Sequence, residues 1–188
     1  MINWDSRDIS GEQHSGAQFL DLDFTEGRNS GAVFTECTFR RAKFNVSVHS
    51  DAAFLNCTFQ DCSFFDTRFT ECKLVGSRFD GCTFDLMTVS GGNWSFVVLR
   101  HADLRKATFE DVRMREADLT GANVEGGKVR GTDLSGASLR GVNFRDCDLR
   151  GSDVSSIEPQ HVELRGAIVT YNQALAIANS LGLDMRDE

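Results

Sequence analysis

The feature that most restricts what this chain can fold into is a period of five, kept without insertion over most of its length. Large apolar side chains recur at Phe19, Phe24, Phe34, Phe39 and Phe44, and the same column runs on through Phe59, Leu74, Trp94, Leu104, Leu119, Leu134 and Leu149 to Val154, resuming at Leu164 and Val169. Thirteen of the fifteen Phe residues fall in this column, and only Phe65 and Phe96 stand outside it. Chance would place about one in five there, so the period is a signal and not a fluctuation. An α-helix repeats every 3.6 residues and a strand every two, so neither gathers a five-residue period onto one face.

Two residues before each large side chain stands a small one, among them Ala17, Ala32, Cys37, Cys57, Ser77, Ala107, Ala117, Ala137 and Cys147. Two residues after it comes a turn column in which Gly alternates with Asp and Glu, as at Gly31, Asp51, Glu71, Gly91, Asp111 and Gly131. These residue types suit turns and positive φ. A chain that turns a corner every five residues buries the large and the small column together. Four sides then close a square coil of about twenty residues, and coils stack at the inter-strand spacing of ~4.8 Å. Residues twenty apart lie above one another.

The units CTFQD at Cys57, TRFTE at Thr67, ADLTG at Ala117, TDLSG at Thr132 and ASLRG at Ala137 resemble the A(D/N)LXX signature of the pentapeptide-repeat family. The resemblance covers residues 17–169 and implies an all-β solenoid, a right-handed quadrilateral parallel β-helix. The expected organisation is a β-helix over residues 1–169, of which 1–16 form an irregular cap, followed by a capping and dimerisation helix with its tail over 170–188.

Two interruptions stand out. Asn29 and His49 replace large apolar residues twenty positions apart, which predicts a locally irregular face near the N-terminal end. SSIEPQHVELRG, from Ser155, centres on the single proline, Pro159, which cannot donate a ladder hydrogen bond and predicts a loosened coil. All six Cys occupy the small inward column, without a CxxC pair, and are expected to be reduced, buried and metal-free. After Val169 the period changes. Thr170 and Gln173 read as a capping box opening a short helix that ends at Gly182. Ala174, Leu175, Ile177, Ala178, Leu181 and Leu183 make that segment apolar enough both to cover the last coil and to meet a second copy, predicting a head-to-head homodimer.

No nucleophile with a neighbouring base and no phosphate loop is legible, and His14, His49, His101 and His161 are scattered, so neither an enzyme nor a cofactor is expected. The chain carries 28 acidic and 20 basic residues, a formal charge of −8. This disfavours direct binding to nucleic acid. Its start has no signal-like segment and no window suits a membrane span, so a cytoplasmic location is expected. Function should reside in shape and charge. A rod of some 150 residues is ~36 Å long at the coil pitch, against which a DNA duplex carries about twenty charges. Mimicry of DNA would therefore rest on local patches. Asp51, Glu71 and Asp111 share one column. Asp133 and Asp153 stack near Asp118, Asp146, Asp148, Glu158 and Glu163. The alternative is an ordinary solvated surface neutralised by Arg105, Arg130, Arg140, Arg145 and Arg150.

Within the family, the uninterrupted coil, the Phe-rich first half, the Leu-rich second half and the ending AIVTYNQALAIANSLGL are similar to mycobacterial fluoroquinolone-resistance members. That resemblance implies a dimeric DNA mimic that binds DNA gyrase, modulates its activity and protects it from fluoroquinolones. Two other readings stand beside it: a scaffold or adaptor for another protein, and an immunity factor against a gyrase-directed toxin.

Overall fold

In the computed structural model, which describes residues 4–183, the chain is a parallel β-solenoid closed by one short C-terminal helix. Every strand pairing joins residues twenty apart, as in Phe19↔Phe39, Phe34↔Phe54 and Val89↔Phe109. One face holds Gln13–Ser15, Val33–Thr35 and Ala53–Leu55; the next holds Gln18–Leu20, Thr38–Arg40, Thr58–Gln60 and Arg78–Asp80. A third sheet climbs from Arg28–Ser30 to Lys128–Arg130, and the fourth face is held by single bridges such as Asp23↔Lys43 and Lys43↔Ser63. No helix among the described residues is long and apolar enough to cross a membrane.

The coil starts earlier than expected. Instead of an irregular segment up to residue 16, Asp8 already bridges Arg28, Ile9 is buried, and Trp4 packs edge-on against Phe19 and Phe24. Trp4, Ile9 and His14 are the first inward residues of the large column, with His14 stacked on Phe34 at 4.9 Å. A tryptophan and a histidine there carry the column on without the Phe that makes it conspicuous later.

The core is a set of aromatic ladders. Phe39 stacks on Phe59 at 5.0 Å and Phe59 on Phe79 at 4.7 Å, with ring planes within 8°. Around the coil the contacts turn edge-to-face, as between Phe34 and Phe39 at 65°. Both geometries suit the ring quadrupole and contribute ~0.5–1.5 kcal/mol per pair beyond burial. Trp94, on a neighbouring face, lies flat against Phe79 and meets Phe109 edge-on. Its small-column partner is Gly92, at φ +84°, where a Cβ would collide with the Cys72 backbone.

The small column has its own hydrogen-bonding rule. The side chains of Cys57, Cys62, Thr67, Ser77 and Ser152 each donate to the carbonyl 23 residues earlier, Ser77 to Phe54 O at 2.8 Å and Cys57 to Phe34 O at 3.4 Å. Cys, Ser and Thr are therefore interchangeable there, and all six thiols are free. Burial pushes the Cys57 and Cys147 thiols up to about 12, which keeps them neutral.

Asn29 and His49 do not mark an irregular face. They sit in paired strands, fully in register and buried. The Asn29 amide donates to His49 Nδ1 at 3.2 Å, His49 Nε2 donates to Ser47 Oγ at 2.9 Å, and Ser47 donates to Phe44 O at 2.6 Å. A satisfied polar chain replaces two large apolar residues, and His49 still stacks on Phe69 at 4.7 Å.

At the other end, Pro159–His161 form a 3-10 turn, after which the coil resumes with the bridges Asn143↔Glu163 and Asp148↔Ile168. The helix Tyr171–Ser180 opens on Thr170, whose capping box with Gln173 is formed in both directions. Gln173 is the helix residue that is buried, and its Nε2 donates to Leu149 O and Ser152 O, both at 2.7 Å.

Candidate partner-binding surface

The corners of the coil place the outward charges. Among the described residues, seventeen non-glycine residues there adopt φ between 50° and 61°, and ten of them are carboxylates: Asp21, Glu26, Glu36, Asp51, Asp61, Asp66, Glu71, Asp111, Glu116 and Asp146. Asp tolerates this left-handed backbone better than most residues, and a corner side chain projects away from the core. Stacking then repeats each corner at the coil pitch. Spacing alone singles out Asp51, Glu71, Asp111 and Asp146; the shared corner geometry extends the set to Glu26, Glu36, Asp61, Asp66 and Glu116.

Asp51, Glu71 and Asp111 do lie on one corner column, with Gly91 and Gly131 between or beyond them. The glycines are part of the design. The Asp111 carboxylate leans over Gly131, and a Cβ on Gly131 would collide with it. Beside this corner runs an open groove of about 530 Å³, lined by Glu71, Gly91, Asp111 and Gly131 of the corner column and by Lys73, Arg113 and Asp133, which share the adjacent bridged column. Glu71 Oε2 accepts Gly92 N at 3.1 Å, while the Asp51, Asp111 and Asp146 carboxylates have no hydrogen bond or ion pair among the described residues.

The second predicted cluster has a different character. Asp118, Asp133, Asp148 and Asp153 occupy the face position of their units, and each accepts the backbone N–H two residues on, Asp133 from Ser135 at 3.1 Å and Asp153 from Ser155 at 2.8 Å. Asn93, Asp103, Asn123 and Asn143 do the same. The (D/N) of the repeat is thus a turn-holding acceptor. Glu163 follows suit, accepting Arg165 N at 2.9 Å, and Glu158 pairs with His161 at 3.0 Å.

Arginines neutralise much of this cluster, in an arrangement that spacing alone did not predict. Arg100 pairs with Asp118 and Arg115 with Asp133, each at 2.5 Å and eighteen residues apart, diagonally from corner to face. Burial raises the pKa of both carboxyls, but the Thr120 or Ser135 hydroxyl and the arginine outweigh it, leaving them below the usual carboxylate range. Arg150 grips Asp148 through two bonds of 2.8 and 2.9 Å, and with backbone help holds that carboxyl at about 2. Of the five arginines named from sequence, Arg130 also approaches Asp148, at 3.6 Å, whereas Arg105 serves Asp103 and Arg145 reaches Glu125.

In the C-terminal segment, Ala174 is exposed and Leu175, Ile177 and Ala178 are half-buried, Ile177 against the core. Leu181 and Leu183 are 54% and 56% exposed, and Tyr171 and Ile168, which the helical pattern did not single out, add 78% and 47%. Ile168 escaped notice because it belongs to the last coil and not to the helix.

Comparison with known proteins agrees with this architecture. Models described as pentapeptide repeats and pentapeptide repeat region match residues 117–155 and 62–129, and one of the SV2A/B/C luminal domain matches residues 8–84. None of these describes an enzyme. The pentapeptide repeat protein MfpA of Mycolicibacterium smegmatis is 38% identical over 58 residues, a stretch covering 31% of this chain and 30% of that relative. Among solved structures, a trypsin-treated form of QnrB1, a plasmid-mediated fluoroquinolone resistance protein, superposes with a TM-score of 0.77 at 22% identity over 98% of this chain and 95% of its own. HetL, a pentapeptide repeat protein involved in heterocyst differentiation regulation in a Nostoc species, superposes with a TM-score of 0.50 at 16% identity over 89% and 86% of the two chains. Five-residue units, twenty-residue register, turn-holding Asp and matching family models converge: this chain belongs to the pentapeptide-repeat family and is related to MfpA.

Proposed function

We propose that this protein binds DNA gyrase as a mimic of duplex DNA, modulates its activity and protects it from fluoroquinolones. The observation that carries the reading is the run of carboxylates along the corners of a straight rod, stacked at the coil pitch and, at Asp51, Asp111 and Asp146, without internal partners among the described residues. A net charge of −8 cannot match a duplex everywhere, so the mimicry is confined to those edges. The relation to MfpA and the fold shared with a fluoroquinolone resistance protein support the partner. Two copies meet through the C-terminal segment, where Leu181, Leu183, Tyr171 and Ile168 offer apolar surface, and this doubles the length of the rod. The protein acts in the cytoplasm.

The test is gyrase supercoiling and quinolone-induced cleavage with and without the purified protein, with a DNA duplex as competitor for binding. Binding that DNA competes away, together with reduced cleavage, is the expected result; no binding to gyrase would remove this reading. Sedimentation at micromolar concentration tests the dimer, which Leu181→Glu with Leu183→Glu should dissociate.

A further inference from the structure

The two Phe residues outside the five-residue column, Phe65 and Phe96, lead to a feature that acidity does not explain. Most non-glycine corner residues with positive φ are polar or charged, yet Val46, Leu86 and Phe96 hold apolar side chains at φ 59°, 61° and 61°. They are 41%, 51% and 49% exposed. Each is disfavoured twice, by a left-handed backbone that suits Gly, Asn or Asp and by apolar surface left in water. Strain held in the open points to a use.

Their placement is ordered. Ten residues are half a coil, so Leu86 and Phe96 stand on diagonally opposite corners at nearly one level of the rod. The same holds for Leu55, Phe65 and Val75, whose successive members are ten apart; Phe65 is 46% exposed and Leu55 and Val75 are partly exposed. One corner thus carries Val46, Phe65 and Leu86, and the opposite corner Leu55, Val75 and Phe96. Each apolar corner has a glutamate at one end of its own column, Glu26 one coil before Val46 and Glu116 one coil after Phe96. Neither glutamate has a hydrogen bond or ion pair among the described residues, whereas Asp66, between Val46 and Leu86, pairs with Arg68, and Lys106, one coil after Leu86, pairs with Asp85.

We infer that these two corners are a pair of knobs gripped at once by two equivalent jaws of a protein clamp, each jaw offering an apolar pocket rimmed by lysine or arginine. Convex corners fit pockets and not flat surfaces, and the end glutamates set the sign of the rim. Two like knobs half a turn apart require a partner that presents the same pocket twice. The inference rests on the gyrase reading for the identity of the clamp and adds to it an apolar anchor that DNA itself lacks.

The experiment measures binding of intact gyrase to the full-length protein and to Leu86→Gly, Phe96→Gly and the double variant, with Leu86→Asp and Phe96→Asp in parallel. Gly and Asp are what other corners carry, so Tm should hold or rise while the fold persists. Each single Gly variant should weaken binding about tenfold and the double about a hundredfold. Unchanged binding, or a loss confined to one corner, overturns the two-jawed clamp while the gyrase reading stands. If the unmodified protein fails to bind gyrase, both fall together. Tm lowered in step with the loss of binding would also overturn it, by assigning the knobs to stability.

Discussion

The side-chain amide of Asn29 donates to Nδ1 of His49, twenty residues on, and so fastens two coils through a polar bond inside the apolar column. The bond requires a neutral imidazole with its proton on Nε2, which Ser47 Oγ accepts. Burial drives the His49 pKa down to about 3, against about 6.5 in the unfolded chain. The unfolded state therefore binds the extra proton, so this contribution is complete above pH ~6.5 and is lost as pH falls toward 3. Urea unfolding should show a loss of roughly 2 kcal/mol between pH 7 and pH 5, above the range in which carboxylates titrate. The double variant Asn29→Leu, His49→Phe should flatten that profile; an unchanged acid dependence would assign it elsewhere.

Gln173 anchors the C-terminal helix through two bonds to carbonyls of the preceding coil. Gln173→Leu should cost about 2–3 kcal/mol by orphaning both buried acceptors and breaking the capping box. Limited proteolysis should then cut near residues 170–183 first, whereas Asn172→Ala, at an exposed neighbouring position, should leave the digestion pattern as it is.

The two acidic clusters should separate functionally. Asp51→Asn, Glu71→Gln and Asp111→Asn together should weaken gyrase binding with little change in Tm, because Asn suits the left-handed corner and Gln keeps an acceptor for Gly92 N. Asp133→Ala and Asp153→Ala should instead lower stability by about 1 kcal/mol each, since each carboxylate holds a turn. Chemical denaturation and a binding titration on the same samples distinguish the two outcomes.

Gly92 has a positive φ and no room for a methyl group against the Cys72 backbone. Gly92→Ala should destabilise by about 3 kcal/mol, combining backbone strain with displacement of Trp94. Trp94 is fully buried, so a red shift of its emission at constant secondary structure would report that displacement directly.

Much of this molecule is legible in its amino-acid sequence. Thirteen in-frame Phe residues place the core, and the step of twenty places each strand's partner. The Thr170–Gln173 capping box is legible too, but the onward grip of Gln173 on Leu149 and Ser152 is not, because it depends on how the helix folds back over the coil. The start of the coil at Trp4 and Asp8 is hidden because no Phe marks it.

A repeat determines translation along an axis, so the sequence by itself established which residues lie above one another: Asp51 over Glu71, Asn29 over His49. It could not establish which way a side chain leans once there. Only the tertiary structure decided that Arg100 and Arg115 reach diagonally to Asp118 and Asp133, that Asp133 and Asp153 turn back to their own backbone, and that the Asp111 carboxylate stays outside. The reason is physical: stacking is set by the backbone ladder and its fixed pitch, whereas the fate of a surface charge is set by rotamers and by neighbours across a corner, which a one-dimensional period does not encode.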